Sequence, residues 1–227
     1  MIKSNDASID YKYEVMRKGI HLASLSIPIV YYFTTTKIAL EILIPVTLFS
    51  LLLDVSRFYL PFLENFFNKV FGFMMRAHEK DKTKKNLSGA TYVFISAVFS
   101  IAVFPKPIFL LAFPVLILCD TAAALLGRRF GKHKFLSKSL EGTVSFFIVG
   151  CLIVFATPKL SNSFAEYLIA YLAIAVGAIV ENISSGWADD NLTIPISVGF
   201  VLWGLYFLIF PNLSNQLSSP LVNWIFN

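Results

Sequence analysis

The chain reads as an all-α, polytopic integral membrane protein, with about seven transmembrane helices and one amphipathic helix lying in the membrane interface. Three observations predict this. Of its 227 residues, 56% are hydrophobic and only 15% are charged, with 23 phenylalanines and a mean hydropathy of +0.70. A soluble domain carries about 25% charged residues. Apolar runs approaching the roughly 20 residues needed to span a bilayer recur along the chain. The basic residues segregate sharply between alternate connections, as an oriented membrane protein requires. No linker-like tract or internal repeat interrupts the pattern, so residues 1–227 read as one membrane-embedded unit.

The elements follow in order. The first ten residues are polar and lack the apolar core of a cleaved signal peptide, so the first span reads as an uncleaved anchor. Apolar runs lie at about 19–35, 38–53, 90–105, 107–126, 142–157, 164–182 and 192–210. Lys3, Lys12, Arg17 and Lys18 precede the first. Arg57, Lys69, Arg76, Lys80, Lys82, Lys84 and Lys85 lie between the second and third, and Arg128, Arg129, Lys132, Lys134 and Lys138 between the fourth and fifth. These are sixteen of the 19 basic residues; only Lys37, Lys106 and Lys159 fall on the other side. The positive-inside rule then predicts a cytoplasmic N-terminus and an external C-terminus. Topology alone accounts for Lys80, Lys82, Lys84 and Lys85.

Phe58–Met75 is rich in Phe and Leu, but Glu64, Asn65, Asn68 and Lys69 recur at helical spacing on one face. That pattern predicts a helix in the interface, with Pro61 in or near its first turn. A crossing there would carry Lys80–Lys85 outside and destroy the charge segregation. Cys119 and Cys151 both fall in apolar runs and read as small buried hydrophobes rather than a disulfide or metal pair.

Unusual polar groups then gather at four cytoplasmic membrane ends. Asp120 sits just past the apolar run Ile108–Leu118 and just before the basic, glycine-punctuated stretch Gly127–Lys134. A carboxylate inside a span costs roughly 2.5–3.5 kcal/mol on insertion scales, so its presence calls for a role. Ala122, Ala123 and Ala124 beside it are small enough for close approach. Arg17 and His21 lie one helical turn apart, with Lys18 close by. In Lys138-Ser139-Leu140-Glu141-Gly142-Thr143, lysine and glycine suit an anion, Ser139 is also a candidate helix cap, and Glu141 is a metal ligand or a partner for a loop lysine. Glu181, Asn182, Asp189, Asp190 and Asn191 lie between the sixth and seventh spans without any lysine or arginine. Asp190 or Asn191 suits a helix cap; as a set, the acidic loop facing a basic loop suits magnesium and a polyphosphate.

Soluble nucleotide-binding signatures are absent. Gly127-Arg128-Arg129-Phe130-Gly131-Lys132-His133 is one residue short of a phosphate loop, and His133 stands where a Ser or Thr hydroxyl must meet magnesium. There is no protein-kinase glycine loop, HExxH or CxxC pair. Transport of an anionic lipid or solute, with Asp120 as a proton relay, is a competing class. It fits poorly with a polar set gathered at one face instead of the midplane.

Taken in order, five pieces of this chain carry a resemblance: Arg17-Lys18-x-x-His21; Ser88-Gly89-Ala90-Thr91; Asp120-x-x-Ala123-x-x-x-Gly127-Arg128-x-x-Gly131-Lys132; Lys138-Ser139-x-Glu141-Gly142-Thr143; and Asp190-Asn191-x-Thr193-Ile194-Pro195. Over roughly residues 17–200 the chain resembles the CTP-dependent lipid kinases: dolichol kinase, phytol kinase and the fungal-type diacylglycerol kinase. The middle pieces also resemble phosphatidate cytidylyltransferase, but that family's Lys-Asp…Pro-Gly-His-Gly-Gly…Asp-Arg ending is missing. The resemblance implies CTP as phosphoryl donor, a lipid alcohol as acceptor, and magnesium. On that basis Arg128, Lys132, Lys134 and Lys138, with Gly127, Gly131 and Ser139, are expected to hold the nucleotide. Asp120 is expected to bind metal or accept the hydroxyl proton. Asp190 and Asn191, with Glu141 or Glu181, are expected to complete the metal site, while Arg17 and Lys18 stabilise charge on the transferred group or steer the nucleotide, with His21 as a further catalytic residue. The expected partners are CTP, the membrane lipid and the bilayer, with no nucleic acid.

Overall fold

A computed structural model describes residues 10–73, 86–184 and 189–220. Lys3, Arg76, Lys80, Lys82, Lys84, Lys85, Met74, Met75 and Asn227 lie outside these segments. Among the described residues the chain forms nine helices and one very short hairpin: α1 (Tyr11–Ala23), α2 (Ser26–Phe33), α3 (Thr36–Ser56), α4 (Pro61–Phe71), α5 (Gly89–Val103), α6 (Lys106–Phe130), β1 (Lys134–Phe135), β2 (Lys138–Ser139), α7 (Leu140–Ala156), α8 (Phe164–Ile183) and α9 (Asp190–Ile209). A 3-10 turn (Pro211–Leu217) follows. Helices α3, α6, α8 and α9 are long and apolar enough to cross a membrane; α5 and α7 are apolar but shorter. The chain is an all-α membrane protein, apart from the two-residue strands.

The expected first span is two helices. Helix α1 ends at Ala23 and α2 starts at Ser26; Pro28, with no N–H to donate to the Ser24 carbonyl, removes one bond of the ladder just past that break. The chain tightens at Ser24 and Leu25, where Ile27 N–H bonds the Ser24 carbonyl at 3.0 Å, and then restarts. Helix α1 also begins well before the apolar run, which puts Glu14, Arg17, Lys18 and His21 on one short helix.

Helix α6 is the axis of the bundle. Ile108, Phe109, Ala112, Phe113, Val115, Leu116, Ile117 and Cys119 are wholly buried, and α5, α7 and α9 pack around it. In lipid the hydrophobic effect gives helices little reason to associate, so fit of shape carries the packing. Gly199 lets α9 approach the Phe104 ring, which also meets Phe200 edge-on at 5.0 Å, and Gly177 lets α8 approach Val198 and Phe146. Helix α3, by contrast, leaves most of its surface to lipid.

Two features of α6 position the site. It is α-helical to Pro114, widens into a π-turn at Val115–Cys119, and resumes as α-helix at Asp120. Pro114 cannot donate to the Leu110 carbonyl, so the ladder is already broken where the widening begins. Such π-turns cluster at functional sites. At its far end, Gly127 and Gly131 bring α6 onto the start of α7. A Cβ at Gly127 would stand 2.9 Å from Ser139 Oγ and 3.1 Å from Gly142 Cα.

The amphipathic segment is helical over Pro61–Phe71, with Pro61 at its first position and no buried residue. Phe58 and Tyr59 lie in a turn and Leu60 is the extended residue before the helix, not the helical start expected.

Candidate functional site

Helix α1 and the restart of α6 meet at one point. Lys18 donates to Asp120 Oδ2, and both side chains are almost entirely buried. A buried ion pair is costly unless its geometry and surroundings compensate, so this one marks a specific arrangement rather than generic stability. His21, one turn on, brings Nε2 to 3.6 Å from the same oxygen. That nitrogen is buried and has no hydrogen-bond partner among the described residues.

On the outward turn of α1, Glu14 is 1% exposed and joins two arginines. Arg17 meets it through Nη2 at 2.5 Å and Nε at 3.3 Å. Arg128, from the end of α6, approaches at 3.5 Å. Glu14 lies before the apolar run. Burial alone would raise its carboxyl, but Arg17, then Arg128 and Lys18, outweigh that and hold it down to about 2.

A second cluster joins β2, α8 and α9. Lys138 donates to Glu181 Oε1 at 2.5 Å and stands 4.0 Å from Asp190 Oδ2. Burial would lower the Lys138 ammonium, yet Glu181 and Asp190 together raise it, so the group stays charged. Asn182 fixes the loop carrying that lysine. Its Oδ1 accepts from the Ser137 and Lys138 amides at 2.9 and 3.1 Å, and its Nδ2 donates to Thr143 at 2.6 Å.

Most of the residues singled out in the sequence therefore converge: Arg17, Lys18, His21, Asp120, Arg128, Lys138, Glu181 and Asp190. Others take local work. Ser139 caps α7 by accepting from the Gly142 amide at 3.2 Å. Asp189, not Asp190 or Asn191, caps α9; it accepts from the Asn191 amide at 2.9 Å and side chain at 2.7 Å. That leaves Asp190 and Asn191 buried in the first turn. Glu141 binds the His133 ring at 2.8 Å and its amide at 3.2 Å, closing the hairpin. Lys132 and Lys134 are exposed on that hairpin and form no ion pair among the described residues.

The sequence reading missed Glu14, whose place in the first turn of α1 looks like an ordinary helix-dipole acid. It also missed a buried pair that organises the Ser88–Thr91 piece. Asp54 Oδ2 accepts from the Ser88 amide at 2.7 Å and Thr91 Oγ1 at 2.6 Å, while Oδ1 faces Arg57 Nε at 3.1 Å. Arg57 in turn bonds the Asn86 carbonyl at 2.9 Å and lies over the rings of Phe58 and Phe67, tying α4 to α3 and α5.

Among the described residues no three His, Cys, Asp or Glu side chains group as a metal cage. Glu181 and Asp190 do converge on one cation, the Lys138 ammonium. Magnesium is commonly held by one or two carboxylates together with substrate phosphates, and this pair fits that mode.

An uncharacterised protein of Rickettsia prowazekii is 28% identical over 83% of this chain and 92% of its own length. The CTP-dependent diacylglycerol kinase of Schizosaccharomyces pombe is 29% identical over 66% of this chain and 73% of its own. The phytol kinase of a Synechocystis species is 30% identical over 37% and 38%. No family model matches the chain. No solved structure matches it significantly.

Proposed function

We propose that this chain, a relative by sequence of the CTP-dependent lipid kinases, transfers the terminal phosphoryl group of CTP to the hydroxyl of a membrane lipid alcohol. The observation that carries the reading is the buried Lys18–Asp120 pair, which joins two distant pieces of sequence at one end of the bundle in a chain with such relatives. Phosphoryl transfer asks a protein mainly for positioning and for neutralisation of charge. The parts present suit both tasks.

In this reading Arg17, Arg128 and Lys138 hold the CTP phosphates, and the exposed Lys132 and Lys134 draw the nucleotide in. Asp120, pinned by Lys18 and next to His21, receives the lipid hydroxyl and takes its proton, directly or through the imidazole. As the oxygen attacks the γ-phosphorus, the bond to the β-phosphate oxygen breaks and CDP leaves. Glu181 and Asp190 would hold magnesium together with the phosphates, where it would neutralise charge on the leaving diphosphate. Gly127, Gly131 and Ser139 support the site by letting the end of α6 lie against α7. The lipid reaches the hydroxyl position sideways, from the leaflet in which α4 lies. The site faces the cytoplasm, on the strength of the sixteen-to-three division of basic residues.

The test is to supply purified protein with CTP labelled at the α- or the γ-phosphate, alongside diacylglycerol, phytol, dolichol or phosphatidate. Label from the γ-position in a free alcohol, with CDP released, is the expected result. Label from the α-position in phosphatidate, with pyrophosphate released, would overturn it.

A further inference from the structure

Glu14 brings two arginines from different helices to one carboxylate. A carboxylate 1% exposed stands behind two guanidinium groups that still reach solvent, Arg17 at 18% and Arg128 at 37% side-chain exposure. The two arginines come from different helices, α1 and the end of α6. Left alone they would repel each other and sample many rotamers. Glu14 takes one edge of Arg17 through Nε and Nη2, which leaves the remaining N–H groups of that fork directed elsewhere. Oε2, which already accepts from Arg17 Nε, also draws in Arg128. Guanidinium forks match phosphate oxygens two at a time, and a fork held in advance loses less freedom when an anion arrives.

We propose that Glu14 is a positioning residue that sets Arg17 and Arg128 as a two-guanidinium clamp for a nucleotide polyphosphate. The proposal rests on the reading of this end of the bundle as a nucleotide site and adds a residue to it. It also reverses the sign that charge alone would give. Removing a negative charge beside an anion site raises the local positive potential, and simple attraction then predicts tighter binding of CTP. Loss of a positioning group predicts weaker binding.

The experiment measures binding of labelled CTP to detergent-solubilised full-length protein by equilibrium dialysis, and in parallel KM and kcat for CTP at saturating lipid. Glu14→Gln is expected to raise both Kd and KM for CTP by about tenfold, the equivalent of one well-placed charged contact, with kcat within about threefold of wild type. Glu14→Asp retains the charge on a shorter arm and is expected to recover part of the loss. In an Arg128→Gln background, Glu14→Gln is expected to weaken binding by a smaller factor than it does alone, because one of its two clients is already gone. Unchanged or tighter CTP binding by Glu14→Gln overturns the proposal. Should Glu14→Gln fail to fold, Glu14→Asp decides: wild-type or tighter binding overturns it. Dialysis reads the clamp without turnover, so wild-type protein that binds CTP yet phosphorylates no alcohol would defeat the kinase reading and leave the clamp standing.

Discussion

Glu166 and Asp120 are both buried carboxylates of the same bundle, and they are satisfied in opposite ways. Glu166 lies in the first turn of α8 and is wholly buried. It accepts from the amides of Leu160, Ser161 and Asn162 at 2.6, 2.9 and 3.0 Å, from Ser161 Oγ at 3.0 Å, and from the Tyr206 hydroxyl. Three of those donors are backbone groups of the adjoining loop. Asp120 lies toward the other end of the same bundle, where α1 meets α6. Among the described residues its side chain meets only Lys18 and, more distantly, His21. Backbone donors cannot leave without unfolding a loop, so Glu166 is a fixed pin. Side-chain cations can exchange one anion for another, and the proposed role of Asp120 and its neighbours draws on that difference. Burial alone does not separate these two roles; the nature of the donors does.

That contrast can be broken most directly at Asp120. Asp120→Asn keeps the shape and removes the charge, and turnover is expected to fall by about two to four orders of magnitude in folded protein. A folded Asn variant with near-normal kcat would place Asp120 alongside Glu166 as a structural group. The smaller effect is expected at Glu166. Glu166→Gln turns acceptor positions toward donors and is expected to cost about 1–3 kcal/mol of stability, read as a lower unfolding temperature. Its kcat per folded molecule should stay within about twofold. A large loss of kcat at unchanged stability would show that the pinned end takes part in the chemistry.

The sidedness of the two ends sharpens the same comparison without any change in rate. With Cys119 and Cys151 replaced by alanine, a cysteine at Leu136 reports the Asp120 end and one at Pro158 the Glu166 end. Both positions are exposed. In sealed right-side-out vesicles an impermeant thiol reagent is expected to label Pro158→Cys, whereas Leu136→Cys should react only after the membrane is opened. The reverse pattern would invert the assigned orientation.

Much of this site was legible because its residues break local rules. Asp120, at the edge of an apolar run, and His21, one turn into another, are anomalies in a membrane span and can be read without any knowledge of the fold. Lys138 and Glu181 stand out through the odd charge balance of their loops. Glu14, Asp54 and Arg57 break no local rule. An acid in a first helical turn, or an aspartate three residues before an arginine, is unremarkable along a sequence. Their importance arises from partners far away in the chain: Arg128 for Glu14, and Ser88 and Thr91 for Asp54.

The amino-acid sequence by itself determined the solvent of this protein, the helical class, most helix positions and the end of the bundle at which the charges gather. Hydropathy and charge act residue by residue, so they survive in a one-dimensional reading. Tertiary structure decided which charge meets which. It split the first span at Ser24 and Leu25, widened α6 just before Asp120, closed the 134–139 hairpin and gave the cap of α9 to Asp189. It also set Lys18 on Asp120 and Lys138 between Glu181 and Asp190. These outcomes depend on distances of a few ångströms between helices, and a buried ion pair is stable only when such distances are met.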